Sequence, residues 1–182
     1  MDAITLLKDD HKTVQKHFRD FERSGPRAFA ARGHAAQSIV RELAVHSALE
    51  EQLFYPSVRQ EMEDAEEEVL QSLEEHHVVK WLCSEIESMA PEDERFVAKV
   101  AVLIENVRHH IEEEESSLFP VVRHALGRKR LGELGELMEK AKPLAPTHAH
   151  PRAPDTPPAN VVAGVVAGAF DRVRDLVGHL TP

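Results

Sequence analysis

One polar signature is written twice in this chain at helical spacing. The stretches "VHSALEEQLFYP" (45–56) and "HHIEEEESSLFP" (109–120), aligned on their prolines, place His46 over His110, Glu50 over Glu114 and Glu51 over Glu115. Upstream, "DDHKTV" (9–14) and "EEHHVV" (74–79) superpose His11 on His76, Asp10 on Glu75 and Val14 on Val79. His76 follows His11 by 65 positions and His110 follows His46 by 64, so the chain reads as a twofold repeat of helix pairs. Each pair contributes one histidine and then one His-x-x-x-Glu.

The spacing dictates where these side chains point. Residues i and i+4 lie one turn apart on one face of a helix, and each step turns the direction by about 100°. His11 shares a face with Leu7, Val14, Phe18 and Phe21; His76 shares one with Val69, Leu73, Val79 and Ile86. His46 and Glu50 lie beside Ile39, Leu43 and Leu53, and His110 and Glu114 beside Leu103, Val107 and Leu118. Apolar residues recur at three and four throughout, the period of amphipathic helices, and no stretch alternates as a strand does. The expected fold is all-α, an up-down-up-down four-helix bundle.

Breakers mark the ends. "SGP" at 24–26 closes helix 1, and helix 2 runs from about Ala28 to the glutamate-rich 61–68. Helix 3 stops near "APED" at 90–93, and helix 4 runs to about Leu126 with Gly127 as its C-cap. A short fifth helix, "LGELGELMEKAK", completes a bundle domain over 1–142. A Pro-rich linker follows over 143–160, with His148 and His150 expected to be solvated, and then a small-residue apolar helix over 161–182. That last helix is suited to docking on the bundle or supporting dimerisation. Pro56 and Pro120 lie late in helices 2 and 4, where each kinks or ends its helix.

Four imidazoles and two carboxylates therefore point into one interior. Isolated buried charges are costly, and a pair of divalent cations bound by histidine nitrogen and bridging carboxylate removes the cost. The six candidate metal-ligating residues are His11, His46, Glu50, His76, His110 and Glu114. A third His-x-x-x-Glu, His109 to Glu113, breaks the proline register and points about 100° away from His110. His77 lies off the apolar stripe; ordinary helix geometry aims Tyr55 away from His46, and Tyr55 reaches the cluster only if Pro56 distorts helix 2.

Charge excludes other classes. With 32 acidic against 22 basic residues the net charge is −10, contrary to a nucleic-acid binder, whose affinity rests on clustered Lys and Arg. The short basic run Arg128–Lys129–Arg130 reads as a solvated helix end. A single cysteine forms no internal disulfide, fits a reducing compartment, and among Val79, Leu82 and Ile86 reads as a core residue. The N-terminus has no basic leader or apolar core of a signal peptide, and the longest apolar run, "VVAGVVAGAF", falls short of the about 20 residues a membrane span requires. The expected location is the cytoplasm.

His11, His46-x-x-x-Glu50, His76 and His110-x-x-x-Glu114, with the tails "LFYP" and "SLFP", resemble the hemerythrin family, specifically bacterial hemerythrin-like proteins with the HHE cation-binding motif. The resemblance covers about residues 4–126. It implies a non-haem centre of two iron ions (Fe2+/Fe3+) with an oxo or hydroxo bridge, ahead of zinc or manganese. The four histidines would be terminal ligands, with Glu50 and Glu114 bridging. The implied partners are dioxygen, hydrogen peroxide or nitric oxide. The resemblance leaves open turnover, as in a catalase-like reaction, against sensing of oxygen or redox state, or storage of iron. The chain departs from the oxygen carriers at Lys80, where they have a second histidine, and at Glu114, which follows its histidine by four rather than five. A more symmetric centre with fewer protein ligands is expected.

Overall fold

The structure is a computed structural model that describes residues 1–153, 164 and 167–172. Helix α1 spans Ala3–Glu22 and starts at an Asp2 cap, whose carboxylate accepts from the Thr5 backbone N–H at 3.0 Å. Helix α2 (Phe29–Leu49) runs into a π-helical turn over Glu50–Phe54 and continues as α3 (Tyr55–Glu61). A 3-10 turn at Glu63–Ala65 leads to α4 (Glu66–Glu87). Helix α5 (Phe96–Glu113) repeats the pattern, with a π turn over Glu114–Leu118 and then α6 (Phe119–Ala141). Among the described residues there is no strand, and no helix is long and apolar enough to cross a membrane.

Four rods result: α1, α2 with α3, α4, and α5 with the first part of α6. They form the expected up-down-up-down bundle, in which α1 packs along α2 and α6, and α4 along α5 and α2. Helices 2 and 4 of the sequence reading are each interrupted, and proline is the cause. It has no N–H to offer, and its ring clashes with the carbonyl four residues back. That carbonyl belongs to Gln52 before Pro56 and to Ser116 before Pro120, inside the two π turns. The widened turns carry bonds from Tyr55 N–H to Glu50 O and from Phe119 N–H to Glu114 O, five residues back. Each turn absorbs one extra residue, so everything beyond it is rotated by about 100° from regular helical expectation.

Gly127 divides α6. Its φ of 66° and ψ of 174° are left-handed backbone, disfavoured for residues with a Cβ, and the "LGELGELMEKAK" segment follows at this bend. There Gly135 lets the N-terminus approach, since a Cβ at that position would meet Met1 O at 2.1 Å.

The core is two apolar plugs with a polar layer between them. One holds Leu7, Leu49, Phe54, Leu73, Leu118 and Phe119, the other Val14, Leu43, Val79, Leu103 and Val107. On α1 the chain passes from Leu7 through His11 to Val14, and on α4 from Leu73 through His76 to Val79. Each helix thus carries its histidine at the boundary between the plugs, which brings all four to one level.

Beyond a 3-10 turn at Lys142–Leu144 the chain folds back onto the bundle. The Ala149 side chain packs against the second plug, and His148 pairs with Glu87 of α4. Buried Asp171 accepts from the backbone N–H groups of Thr147 at 2.9 Å and His148 at 3.1 Å, and pairs with His150 Nε2 at 3.1 Å. The expectation of solvated linker histidines is corrected here: both are half-buried because carboxylates hold them. Gly164 and residues 167–172 are helical within the expected C-terminal helix; its remaining residues lie outside those described.

Candidate metal centre

All six residues singled out by the repeat lie in the polar layer, and all are buried. Two groups of side chains have ligand atoms within 4.8 Å of one another: His11, His46, Glu50 and Glu114, and Glu50, His76 and His110. Glu50 belongs to both. Its Oε2 lies 3.0 Å from His46 Nε2 on its own helix and 3.3 Å from His76 Nε2 on α4. Glu114 Oε2 repeats the arrangement, 3.5 Å from His110 Nε2 and 3.3 Å from His11 Nε2. Each carboxylate spans the two halves of the repeat.

The outward ring nitrogens meet a second set of acids. His11 Nδ1–H donates to Glu115 at 2.9 Å, His76 Nδ1–H to Glu51 at 3.0 Å, and His110 Nδ1–H to Glu75 at 2.7 Å. His46 Nδ1 lies 3.8 Å from Asp10 Oδ2, too far for a direct hydrogen bond. A carboxylate only accepts, so those Nδ1 atoms carry the protons and a neutral ring presents its Nε2 lone pair inward. His76 Nε2 and His110 Nε2 face each other at 3.1 Å. Two lone pairs do not rest at that distance without a proton or a cation between them.

The remaining polar atoms give the same result. Asp10 Oδ2, His11 Nε2, both His46 nitrogens, both Glu50 oxygens and Glu114 Oε2 are buried without a hydrogen-bonding partner. Leaving such atoms unsatisfied costs about 1–3 kcal/mol each, more for charged groups. Acceptors of nitrogen and oxygen, clustered, dry and facing one another, are the donor set of a divalent metal.

Titration behaviour reflects this excess of negative charge. Burial pushes the His46 imidazole down, but Glu50 and Asp10 outweigh it and raise it to about 10. Burial likewise opposes His76, which Glu50 and Glu51 raise to about 9. Glu50 is driven well below the usual carboxylate range against its burial, by His46 and His76. The hydrogen bond from His110 lowers Glu75 to about 2.

Tyr55 enters the layer, against ordinary helix geometry and through the distortion before Pro56. Its hydroxyl donates to Glu114 Oε1 at 2.9 Å and lies 3.5 Å from His76 Nε2. In a regular helix it stands nine residues from His46 and half a turn away; the π turn removes one step of about 100° and swings it inward. Burial raises its hydroxyl well above the ordinary tyrosine value, with Glu114 and Glu50 adding to the shift. In the other half the equivalent residue is Phe119, whose ring stacks on His11 at 5.8 Å.

The supporting acids Asp10, Glu51, Glu75 and Glu115 were also missed as site residues. The signal was present, since the repeat alignment superposes Asp10 on Glu75 and Glu51 on Glu115. His77 is exposed, as expected, and accepts from Trp81 Nε1–H at 3.1 Å. Glu75, His109 and Glu113 form a third group at the surface, outside the dry layer. Buried Cys83 is a poor nucleophile, because burial raises its thiol.

A family model described as the hemerythrin HHE cation binding domain matches residues 2–122. An uncharacterized hemerythrin-like protein of Schizosaccharomyces pombe is 30% identical over 169 residues, 92% of this chain and 82% of the relative. A DNA nickase of Nostoc is 26% identical over 143 residues, 78% of this chain but 39% of that protein. The crystal structure of a hemerythrin HHE cation-binding domain-containing protein from Mycobacterium kansasii superposes with a TM-score of 0.66 at 20% identity, covering 78% of this chain and 85% of that one, a likeness of fold.

Proposed function

The chain belongs to the hemerythrin HHE cation-binding family, and from that premise we propose that it holds two iron ions and binds or turns over small oxidants. The observation that carries this reading is the shared Glu50, fully buried and without a hydrogen-bonding partner between two histidine groups. His11 and His46 would hold one ion and His76 and His110 the other, with Glu50 and Glu114 reaching both. An iron pair bound there supplies two-electron redox chemistry toward peroxide, dioxygen or nitric oxide.

The chain's own residues set the conditions. Carboxylates at Nδ1 fix the ring orientation of His11, His76 and His110, leaving each Nε2 to face inward. The wall beside the imidazoles is apolar, made by Val14, Leu43, Val79 and Val107. Tyr55 holds a proton on its hydroxyl beside Glu114 and His76, a donor to whatever binds between the halves. The nicking of DNA by the Nostoc relative finds no support in a chain of net charge −10.

The test is to load purified protein with Fe2+ under exclusion of air, then measure bound metal, absorption on oxidation and oxygen release from peroxide. The expected result is two irons per chain, a near-ultraviolet band on oxidation and release of oxygen. Zinc alone in protein from iron-replete cells, with no iron uptake, would reduce the centre to a structural staple and end this reading.

A further inference from the structure

Lys80 stands at the family position noted above as a histidine in oxygen carriers, and its amine does not reach the centre. One turn beyond His76 on α4, Lys80 Nζ donates to Glu51 Oε2 at 2.6 Å, while Glu51 Oε1 accepts from His76 Nδ1–H at 3.0 Å. The row ammonium, carboxylate, imidazole ends on the Nε2 that faces His110. Similar rows stand behind other ligands: Lys8 lies 3.2 Å from Glu115 behind His11, Lys142 pairs with Asp10 beside His46, and Gln71 donates to Glu75 at 3.0 Å behind His110. The Lys80 row is the most buried of the lysine rows, with side-chain exposures of 17% for Lys80, 5% for Glu51 and 3% for His76.

We propose that Lys80 is a positioning residue of the metal centre, acting through Glu51 on His76. This rests on the metal-centre reading above. The orientation of a carboxylate as buried as Glu51 is set by the partners of its two oxygens. Lys80 occupies one oxygen, which leaves the other aimed at His76 Nδ1–H. Without the ammonium, the Glu51 carboxylate loses an anchor and turns, which loosens the hydrogen bond that orients His76. Partners of this kind contribute about 10–100-fold to metal affinity. Position 15, which superposes on 80, is a glutamine, and the equivalent row behind His11 takes its lysine from position 8 instead.

A bystander charge and a positioning residue give opposite signs. Removing a nearby positive charge by itself tightens the binding of a dication, whereas removing the prop of His76 weakens it. Co2+ affinity, measured on the full chain by competition with a chelating dye and by visible ligand-field bands, separates them. Lys80→Met is expected to bind Co2+ about tenfold more weakly, and Lys80→Arg to restore binding. Glu51→Gln is expected to weaken binding about as much, and the double variant Glu51→Gln/Lys80→Met no further than Glu51→Gln alone. Folded Lys80→Met that binds Co2+ as tightly as the parent or more tightly overturns the proposal, as does a Lys80 effect that persists undiminished in the Glu51→Gln background. Parent protein that takes up neither Co2+ nor Fe2+ overturns the metal-centre reading along with it.

Discussion

The two halves of the repeat share a ligand frame and differ in what surrounds it. Each half supplies two histidines, one spanning carboxylate and one π turn before a proline, and the contacts of Glu50 are reproduced by Glu114 to within 0.5 Å. The halves part at the residue after the π turn. The first half sends in Tyr55 with a hydroxyl on Glu114; the second sends in Phe119 to stack on His11. They part again behind the ligands, where Lys142 stands on Asp10 while Gln71 stands on its counterpart Glu75. Duplication therefore accounts for the shared frame of histidines and carboxylates, and single substitutions within it account for how the two sides are made unlike.

The most severe way to break the comparison is at the residue common to both groups. Glu50→Gln keeps the shape but removes the shared charge. Bound metal per chain is expected to fall from two to one or none, an affinity loss beyond the roughly 10–100-fold of a supporting partner; unchanged metal content by elemental analysis would falsify the shared role.

Next comes proton competition. In the metal-free protein His46 titrates at about 10 and His76 at about 9, against 6.5 for a free imidazole, so metal uptake at neutral pH displaces protons. Co2+ affinity is expected to rise with pH, about tenfold per unit for each proton displaced. The folded values are raised, so the stability they contribute to the metal-free bundle is complete below about pH 6.5 and is lost as pH rises through 9 and 10. Denaturant titrations of metal-free protein at pH 6 and 10 measure this directly; equal stability at the two values contradicts it.

Tyr55→Phe makes the halves alike. Loss of a hydrogen bond to a buried carboxylate is expected to destabilise the metal-free protein by about 1.5–3 kcal/mol, to leave two metals bound, and to slow any peroxide turnover. Phe119→Tyr does not compensate, because its hydroxyl would fall on the His11 side. The smallest effect is at Gly127, which has no counterpart in the first half. Gly127→Ala is expected to cost about 1–3 kcal/mol by thermal unfolding while leaving metal content untouched.

Legibility divides along the same lines. Helices, breakers and the six inward polar residues follow from local period and register, because side-chain direction along a regular helix depends on position alone. Tyr55 could not be placed by that rule, since a π turn that accommodates proline resets the angle for every residue beyond it. The supporting acids were visible as doubled letters, Asp10 with Glu75 and Glu51 with Glu115, yet each serves a histidine on another helix. That pairing is a property of the packed bundle. His148 and His150 illustrate the same limit: a proline-rich stretch reads as a solvated linker until Glu87 and Asp171 are seen to hold it.

What the amino-acid sequence determined alone is the helical class, the apolar faces of the helices, and the half-dozen polar groups those faces carry inward, because period and spacing are local quantities. What only the tertiary structure decided is which carboxylate stands behind which imidazole, which aromatic ring enters the layer, and how residues 143–153 fold back on the bundle. Those choices depend on the angle and level at which separate helices meet, and no single helix contains that information.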